Sequence, residues 1–241
     1  MVKTGILGRL VALLGLVAIS GGLAFASASV PGISPDEALQ KLMDGNKRYV
    51  ENHMTGSALS DNATRASLAK SQKPYAVILT CSDSRVPPEI VFDQGLGEIF
   101  VIRVAGNIPD PVVLGSIEYA VEHLGSPLVM VLGHERCGAV TATIGAKGKS
   151  TGSVNIDAIV KTIVPNIKNA AKDCDACKGE KKCAETKKDA FVECAIDSNA
   201  KNVAASLTRK SKILKHGIES KTLKIVAAKY DLDDGIVTLY K

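Results

Sequence analysis

Four short apolar runs alternate with longer stretches of helical pattern along this chain. The runs are residues 75–80, 99–104, 128–132 and 223–228. Runs of this length that are rich in Val, Ile and Leu are typical of strands buried on both faces, and their alternation with helices predicts a parallel sheet. An Asp-Asp-Gly turn at 233–235 leads into a further apolar run, which predicts a closing hairpin. We therefore expect an α/β fold with a central, mostly parallel β-sheet of about four parallel strands plus a C-terminal antiparallel strand, flanked by helices.

Helices are predicted between these strands, and the first of them has the clearest start. Ser34 suits the N-cap, Pro35 suits the first helical position, and the two acids that follow suit the positive end of the helix dipole. This helix should run to about residue 52, followed by an irregular connection with some helix over 53–73. Further helical patterns cover about 111–124, a stretch from near 137, 153–171, and about 196–219.

The first 28 residues have the pattern of a secretion signal. Lys3 and Arg9 precede an apolar run at 10–19, and the small residues at 24–28 supply two small-x-small cleavage patterns. The alternative is an uncleaved membrane anchor, but Ser-Gly-Gly at 20–22 interrupts the apolar run. We therefore expect a periplasmic or otherwise exported protein, with no stable membrane insertion after cleavage and one domain in the remaining chain.

Composition and charge argue for a compact core and against a nucleic-acid partner. Hydrophobic residues make up 46% of the chain, but aromatic residues only 4% and Trp is absent, so the core must be aliphatic. Without Lys3 and Arg9 the chain has 28 basic and 25 acidic residues, a formal charge of +3 instead of +5. This excess is small, and no basic run is interleaved with aromatic residues, so nucleic-acid binding is not expected.

Candidate metal ligands follow two of the predicted strands. Cys81 comes directly after the first strand, and His134 and Cys137 follow the third. The carboxyl ends of parallel strands meet at one edge of the sheet, where ligands bind in folds of this class. Singly, each residue would more often be a buried thiol or a capping histidine. Together they offer three ligands with a fourth position free, the pattern of a catalytic zinc ion.

Asp83 and Arg85 lie beside the first candidate ligand. In an extended segment, residues two apart project from the same side, and an arginine can hold a carboxylate through two parallel hydrogen bonds. One interpretation is an ordinary salt bridge. The other is functional: Asp83 would accept a hydrogen bond from a zinc-bound water, or would itself occupy the fourth metal position, and Arg85 would decide between the two by competing for the carboxylate.

Three motifs resemble those of the β-class carbonic anhydrases. They are Cys-Ser-Asp-Ser-Arg at 81–85, Gly-Glu-Ile-Phe-Val-Ile-Arg-Val-Ala-Gly-Asn at 97–107, and Gly-His-Glu-Arg-Cys-Gly-Ala-Val at 133–140. The resemblance implies a catalytic domain over 29–241 and one Zn²⁺ per subunit, held by Cys81, His134 and Cys137. It also implies Asp83 and Arg85 as the catalytic pair, and a homodimer or homotetramer with active sites at the subunit interface.

The same resemblance implies two substrate contacts. Gln94 corresponds to a substrate-contacting glutamine of the family, although it comes one residue early in this sequence. The alternative interpretation of Gln94 is a solvated turn residue. Gly106 would offer its backbone N–H to bicarbonate.

The activity that the resemblance implies is the reversible hydration of carbon dioxide to bicarbonate and a proton by a zinc-bound hydroxide. One alternative is hydrolysis of CS2 or COS on the same zinc platform. Another is a catalytically silent zinc-binding protein, but metal binding alone requires neither Asp83 nor Arg85.

A cysteine-rich stretch at about 172–194 interrupts the resemblance and is expected to be an inserted loop. Its four cysteines, Cys174, Cys177, Cys183 and Cys194, allow three disulfide pairings. In an exported protein we expect two disulfides that staple a charged loop, and the alternative is a second, structural metal site.

Overall fold

A five-stranded sheet forms the centre of the fold. The computed structural model describes residues 32–172, 174–177 and 183–240. In chain order the strands are β1 (Ala76–Thr80), β2 (Ile99–Arg103), β3 (Leu128–His134), β4 (Lys224–Tyr230) and β5 (Val237–Leu239). Their order in the sheet is β2-β1-β3-β4-β5, and all neighbours are parallel except β4 and β5. The predicted fold class is confirmed, whereas the predicted secretion signal lies outside the described residues.

The first helix begins where the sequence predicts it. Helix α1 (Pro35–Val50) is preceded by a capping box, in which the Ser34 hydroxyl accepts a hydrogen bond from the Glu37 N–H (3.2 Å) and the Glu37 carboxylate accepts one from the Ser34 N–H (2.6 Å). The connection to β1 holds a short 3₁₀ turn and one small helix, as expected. That small helix is α2 (Asn62–Leu68). The next helix, α3 (Pro88–Val91), follows β1.

Six further helices complete the described part of the chain: α4 (Pro111–Glu122), α5 (Gly138–Ala146), α6 (Val154–Ile167), α7 (Cys183–Thr186), α8 (Lys188–Lys210) and α9 (Lys212–Glu219). The helix predicted over about 196–219 is therefore two helices, and the first begins eight residues early. They meet at Ser211, whose hydroxyl caps α9 by accepting the Leu214 N–H at 3.1 Å. None of the helices in the described ranges is long and apolar enough to cross a bilayer.

The two central strands, β1 and β3, are buried along their whole length. Alternate residues enter two cores: Ile78 packs on the face covered by α1, whereas Val77 and Leu79 pack on the face covered by α4, α8 and α9. A third apolar cluster surrounds Cys81 and Cys137 at the carboxyl ends of the strands. This cluster separates the predicted metal ligands from solvent.

The cysteine-rich stretch contains two disulfides, Cys174–Cys194 and Cys177–Cys183. It is not simply a loop, because its second half enters α7 and the first turns of α8. The density of Lys, Asp and Glu before residue 196 hid this helix from the sequence pattern, although Val192, Ala195 and Ile196 give it a buried face. Cys194 lies on α8, so one disulfide is anchored in a long helix that packs against the sheet.

Candidate metal centre

The three predicted metal ligands meet at one edge of the sheet. Cys81 directly follows β1, His134 is the last residue of β3, and Cys137 is the N-cap of α5. Because β1 and β3 are parallel neighbours, with Thr80 opposite Leu132, both strands deliver their ligands to the same edge. The two sulfurs and the imidazole nitrogen lie within 4.8 Å of one another, and all three side chains are buried.

The orientation of His134 leaves one ring nitrogen facing the cluster. Its Nδ1 lies 2.8 Å from the carbonyl oxygen of Glu135, and because a carbonyl can only accept, Nδ1 must carry the proton. Nε2 then keeps its lone pair. It is buried and has no hydrogen-bond partner among the described residues, a costly arrangement for a polar atom. A metal ion would satisfy Nε2, so the residues present fit a zinc ion.

The two cysteines form a hydrogen-bonded pair of thiols. The hydrogen bond from Cys137 is the largest influence on Cys81 and lowers its pKa against the opposing effect of burial, and His134 and the backbone N–H groups of Gly106 and Asp83 act in the same direction. The same hydrogen bond and burial raise the pKa of Cys137. The lowered pKa favours the thiolate form of Cys81, and the thiolate is the form in which a cysteine binds a metal ion.

Asp83 is held by Arg85 through a fork of hydrogen bonds. Nε of Arg85 donates to Oδ1 at 2.9 Å, Nη2 donates to Oδ2 at 2.8 Å, and the backbone N–H of Arg85 also reaches Oδ1 at 3.0 Å. The predicted extended conformation is wrong, because Ser84 and Arg85 lie in a turn that brings the guanidinium back onto the carboxylate. The side-chain hydrogen bonds from Arg85 hold the pKa of Asp83 far below its usual range, so the carboxylate is ionised. Its Oδ2 lies 3.9 Å from Nε2 of His134.

Comparison with known proteins agrees with this geometry. A family model described as carbonic anhydrase matches residues 76–237. Over 212 residues the chain is 38% identical to carbonic anhydrase 2 of Mycobacterium tuberculosis, and the alignment covers 87% of this chain and 95% of that protein. This chain belongs to the β-class carbonic anhydrases. The predicted family is confirmed, and it is a family of enzymes.

Solved β-carbonic anhydrases share the fold. The β-carbonic anhydrase CcaA superimposes with a TM-score of 0.66 at 22% identity, over 84% of this chain and 95% of that one. A tetrameric β-carbonic anhydrase from Sordaria macrospora gives 0.61 at 22% identity, over 84% and 96% of the two chains. At these identities the likeness is one of architecture.

Gly106 of this carbonic anhydrase directs its backbone N–H at a metal ligand. The N–H donates to Sγ of Cys81 at 3.4 Å. The residue has a φ of +72°, and a Cβ added there would lie 2.6 Å from Cδ1 of Ile163 and 3.2 Å from Cβ of Ala139. Both the backbone conformation and the space therefore require glycine. The N–H proposed from the sequence for bicarbonate is engaged by the sulfur.

Gln94 of this carbonic anhydrase lies away from the three ligands in its own subunit. Its Oε1 accepts from the Tyr75 hydroxyl at 2.6 Å, and Nε2 donates to the carbonyl oxygens of Phe92 and Asp93. Tyr75 precedes β1 whereas Cys81 follows it, and a strand of this length spans about 17 Å. Gln94 is only 6% exposed, so it is not a solvated turn residue either.

Arg103 was not singled out from the sequence, yet it holds the backbone next to the first ligand. From the end of β2 its Nε donates to the carbonyl oxygen of Cys81 at 3.1 Å, and Nη2 donates to that of Asp83. The only signal in the sequence is a charged residue closing an otherwise apolar strand. The structure gives the reason for that charge, because Arg103 satisfies the carbonyl group of Cys81 at the end of β1 and adds a second donor to the carbonyl of Asp83, which also accepts from the Val86 N–H at 3.1 Å.

Proposed function

We propose that this β-carbonic anhydrase catalyses the reversible hydration of carbon dioxide with a zinc ion held by Cys81, His134 and Cys137. The observation that carries the proposal is the buried Nε2 of His134, which faces two thiols and has no other partner in the described chain. Zinc in a site with three protein ligands lowers the pKa of a coordinated water toward 7, which makes that water able to attack carbon dioxide.

Asp83 supplies the acceptor for this reaction. Its carboxylate is ionised and lies at the rim of the ligand cluster, so with zinc bound Oδ2 would be placed to accept a hydrogen bond from the reacting water. Arg85 occupies both carboxylate oxygens and so restrains Asp83 from becoming a fourth metal ligand. A silent zinc site would need neither residue, so this pair supports an enzyme over a mere metal-binding protein.

The proposed assembly is a homodimer or a homotetramer. In its own subunit Gln94 lies toward the amino end of β1, so a role in substrate binding requires it to act in a site shared with a partner. The related enzymes from Sordaria macrospora are described as tetrameric.

The proposed location is the periplasm or another exported compartment. The predicted secretion signal supports it, and so do the two disulfides of the cysteine-rich stretch, because disulfides persist in oxidising compartments. Expression of the full chain with a C-terminal tag, followed by fractionation and sequencing of the mature N-terminus, tests this. A tagged protein that stays in the cytosol with its first 28 residues attached would contradict it.

The activity is tested by metal analysis and stopped-flow kinetics on the same preparation. The purified protein should contain about one zinc per subunit and release protons from carbon dioxide faster than it releases hydrogen sulfide from CS2 or COS. His134→Ala should lose both the metal and the activity. The matched control is His53→Ala, which removes an exposed histidine whose ring lies beside Glu51 and should change neither. Carbon dioxide hydration by a zinc-free His134→Ala variant would refute the proposal.

A further inference from the structure

Helix α8 contacts the segment that holds His134 and Cys137, and it also contacts Gly106, the residue whose N–H reaches the sulfur of Cys81. Asn199, which is 1% exposed, donates from Nδ2 to the carbonyl oxygen of Gly106 at 3.0 Å. Six residues earlier on the same helix, Glu193 accepts a hydrogen bond from the backbone N–H of Arg136 at 2.9 Å, between His134 and Cys137. The family motifs lie outside α8, so nothing in them assigns a role to these contacts.

The contact of Asn199 leads directly to a metal ligand. Gly106 accepts from Asn199 through its carbonyl oxygen and donates through its N–H to Sγ of Cys81 at 3.4 Å. Gly106 has a left-handed backbone, and a glycine by itself permits a wider range of backbone angles than any other residue. A fixed hydrogen bond to its carbonyl therefore determines whether the N–H points at the sulfur.

The amide of Asn199 is itself held in one orientation. Since its Nδ2 donates to a carbonyl, its Oδ1 must be the acceptor, and it accepts from Nδ2 of Asn166 on α6 at 2.9 Å. Both ends of this buried amide are used, so it cannot rotate without breaking a hydrogen bond away from water. The chain of contacts thus runs from α6 through α8 to Gly106 and then to Cys81.

We propose that Asn199 is a positioning residue that fixes the Gly106 N–H on the Cys81 sulfur and thereby sets how strongly this thiolate donates charge to the metal. The inference rests on the proposed metal site. A hydrogen bond to a thiolate withdraws charge from the sulfur, and lower donation to the metal keeps a coordinated water more acidic. Loss of Asn199 should therefore make the sulfur a stronger donor and the water less acidic.

The test replaces Asn199 with Leu, which has a similar volume and no hydrogen-bonding group, and loads parent and variant with cobalt(II) as a spectroscopic substitute for zinc. In Asn199→Leu the sulfur-to-cobalt charge-transfer band should move to longer wavelength. The pH profile of carbon dioxide hydration by the zinc form should move to higher pH.

Two further variants make the result specific. Asn202→Ala is the matched control, since Asn202 is an exposed neighbour on α8 that donates to the backbone of Asn166, and it should leave the band and the pH profile unchanged. Asn166→Ala is a milder change that releases the Asn199 amide without opening the space beside Gly106. Asn166→Ala should move the charge-transfer band and the pH profile in the same directions as Asn199→Leu. It replaces Asn199→Leu in the test if that variant does not fold.

The outcomes separate this inference from the proposed function. A band and a pH profile identical in the parent and in the folded Asn199 or Asn166 variant would overturn the role of Asn199 and leave the enzyme intact. A parent that shows the thiolate band but does not hydrate carbon dioxide would overturn the proposed function alone. A parent without any thiolate–cobalt band would overturn both.

Discussion

The guanidinium of Arg85 grips the carboxylate of Asp83 with two parallel hydrogen bonds of 2.9 and 2.8 Å, although the two residues are separated only by Ser84. Arg85→Lys keeps the charge but loses the fork, so it should release Asp83 toward the metal. We expect kcat/KM at neutral pH to fall about 100-fold with zinc content unchanged. Stopped-flow kinetics with metal analysis checks this, and Arg65→Lys on the exposed face of α2 is the control.

Full activity in Arg85→Lys would show that charge alone suffices and that the fork has no part in the mechanism. Loss of zinc in the same variant would instead mean that Arg85 supports the metal ligands directly.

Stability in acid should depend on Asp93, whose side chain is fully buried. It accepts hydrogen bonds from Arg48 at 2.6 Å and from the N–H groups of Thr55 and Gly56. Burial acts to raise its pKa, but these donors outweigh it and the pKa is lowered. A lowered pKa stabilises the fold above the ordinary value near 4, and that stabilisation is lost as the pH falls toward the folded pKa.

Asp93→Asn should therefore lower the free energy of unfolding at pH 7 by about 3 kcal/mol, since it leaves Arg48 without its buried partner. The difference from the parent should shrink as the pH falls below about 4, because the carboxylate of the unfolded parent then binds a proton while the folded carboxylate, with its lowered pKa, does so only at lower pH. Urea unfolding at both pH values measures this. Asp36→Asn removes an exposed carboxylate that pairs with Lys224 and should change stability by less than about 0.5 kcal/mol. If Asp93→Asn lowered the free energy of unfolding equally at pH 7 and below pH 4, the negative charge of Asp93 would have no part in the stabilisation.

The glycine beside the metal ligands should not tolerate a side chain. Gly106→Ala introduces a Cβ against Ile163 at 2.6 Å and strains a backbone with positive φ, so we expect a loss of about 1–3 kcal/mol and weaker zinc retention. Gly115→Ala is the matched control, because Gly115 is on α4 with no atom within 4 Å of an added Cβ, and alanine favours helix. Thermal unfolding compares the stability of the two variants, and zinc release to a chelator compares their metal retention. A Gly106→Ala variant as stable as the parent would contradict the proposed backbone strain and steric clash.

The two disulfides should contribute unequally to stability. Cys174–Cys194 spans 20 residues and Cys177–Cys183 spans 6, so loop-closure entropy predicts about 3 and 2 kcal/mol respectively. Double serine variants of each pair, unfolded in urea without reductant, test the order. Alkylation of the native protein without reduction, followed by mass measurement, tests the alternative of a structural metal, because that site would need free thiols. Four blocked cysteines in this stretch would rule out both disulfides.

The fold and the ligand set could be predicted because both depend on local sequence. Continuous apolar runs specify β1 and β3, and a ligand placed directly after each strand, such as Cys81 or His134, must reach the same edge of a parallel sheet. The start of α1 was equally clear, because its capping box lies within four consecutive residues.

What escaped prediction depends on contacts between distant segments. Arg103 and Asn199 act on carbonyl groups that lie 20 to 93 residues away in the chain, and no pattern marks such pairs. The position of Gln94 depends on its hydrogen bond with Tyr75, and the turn at Ser84 depends on the grip of Arg85 on Asp83. The predicted start of helix α8 was too late, because the charged first turns of this helix carry only a few buried residues.

The short distance between the two buried thiols matters while the chain folds, before a metal ion is bound. Cys81 and Cys137 have sulfurs within 4.8 Å of each other and carry no other covalent partner. A cation between them blocks their oxidation, whereas in an oxidising compartment bare sulfurs this close favour a bond that would destroy the ligand set. If the chain is exported as proposed, folding and metal binding would therefore have to precede oxidation of this pair, and the order of these events would decide how much of the protein becomes active.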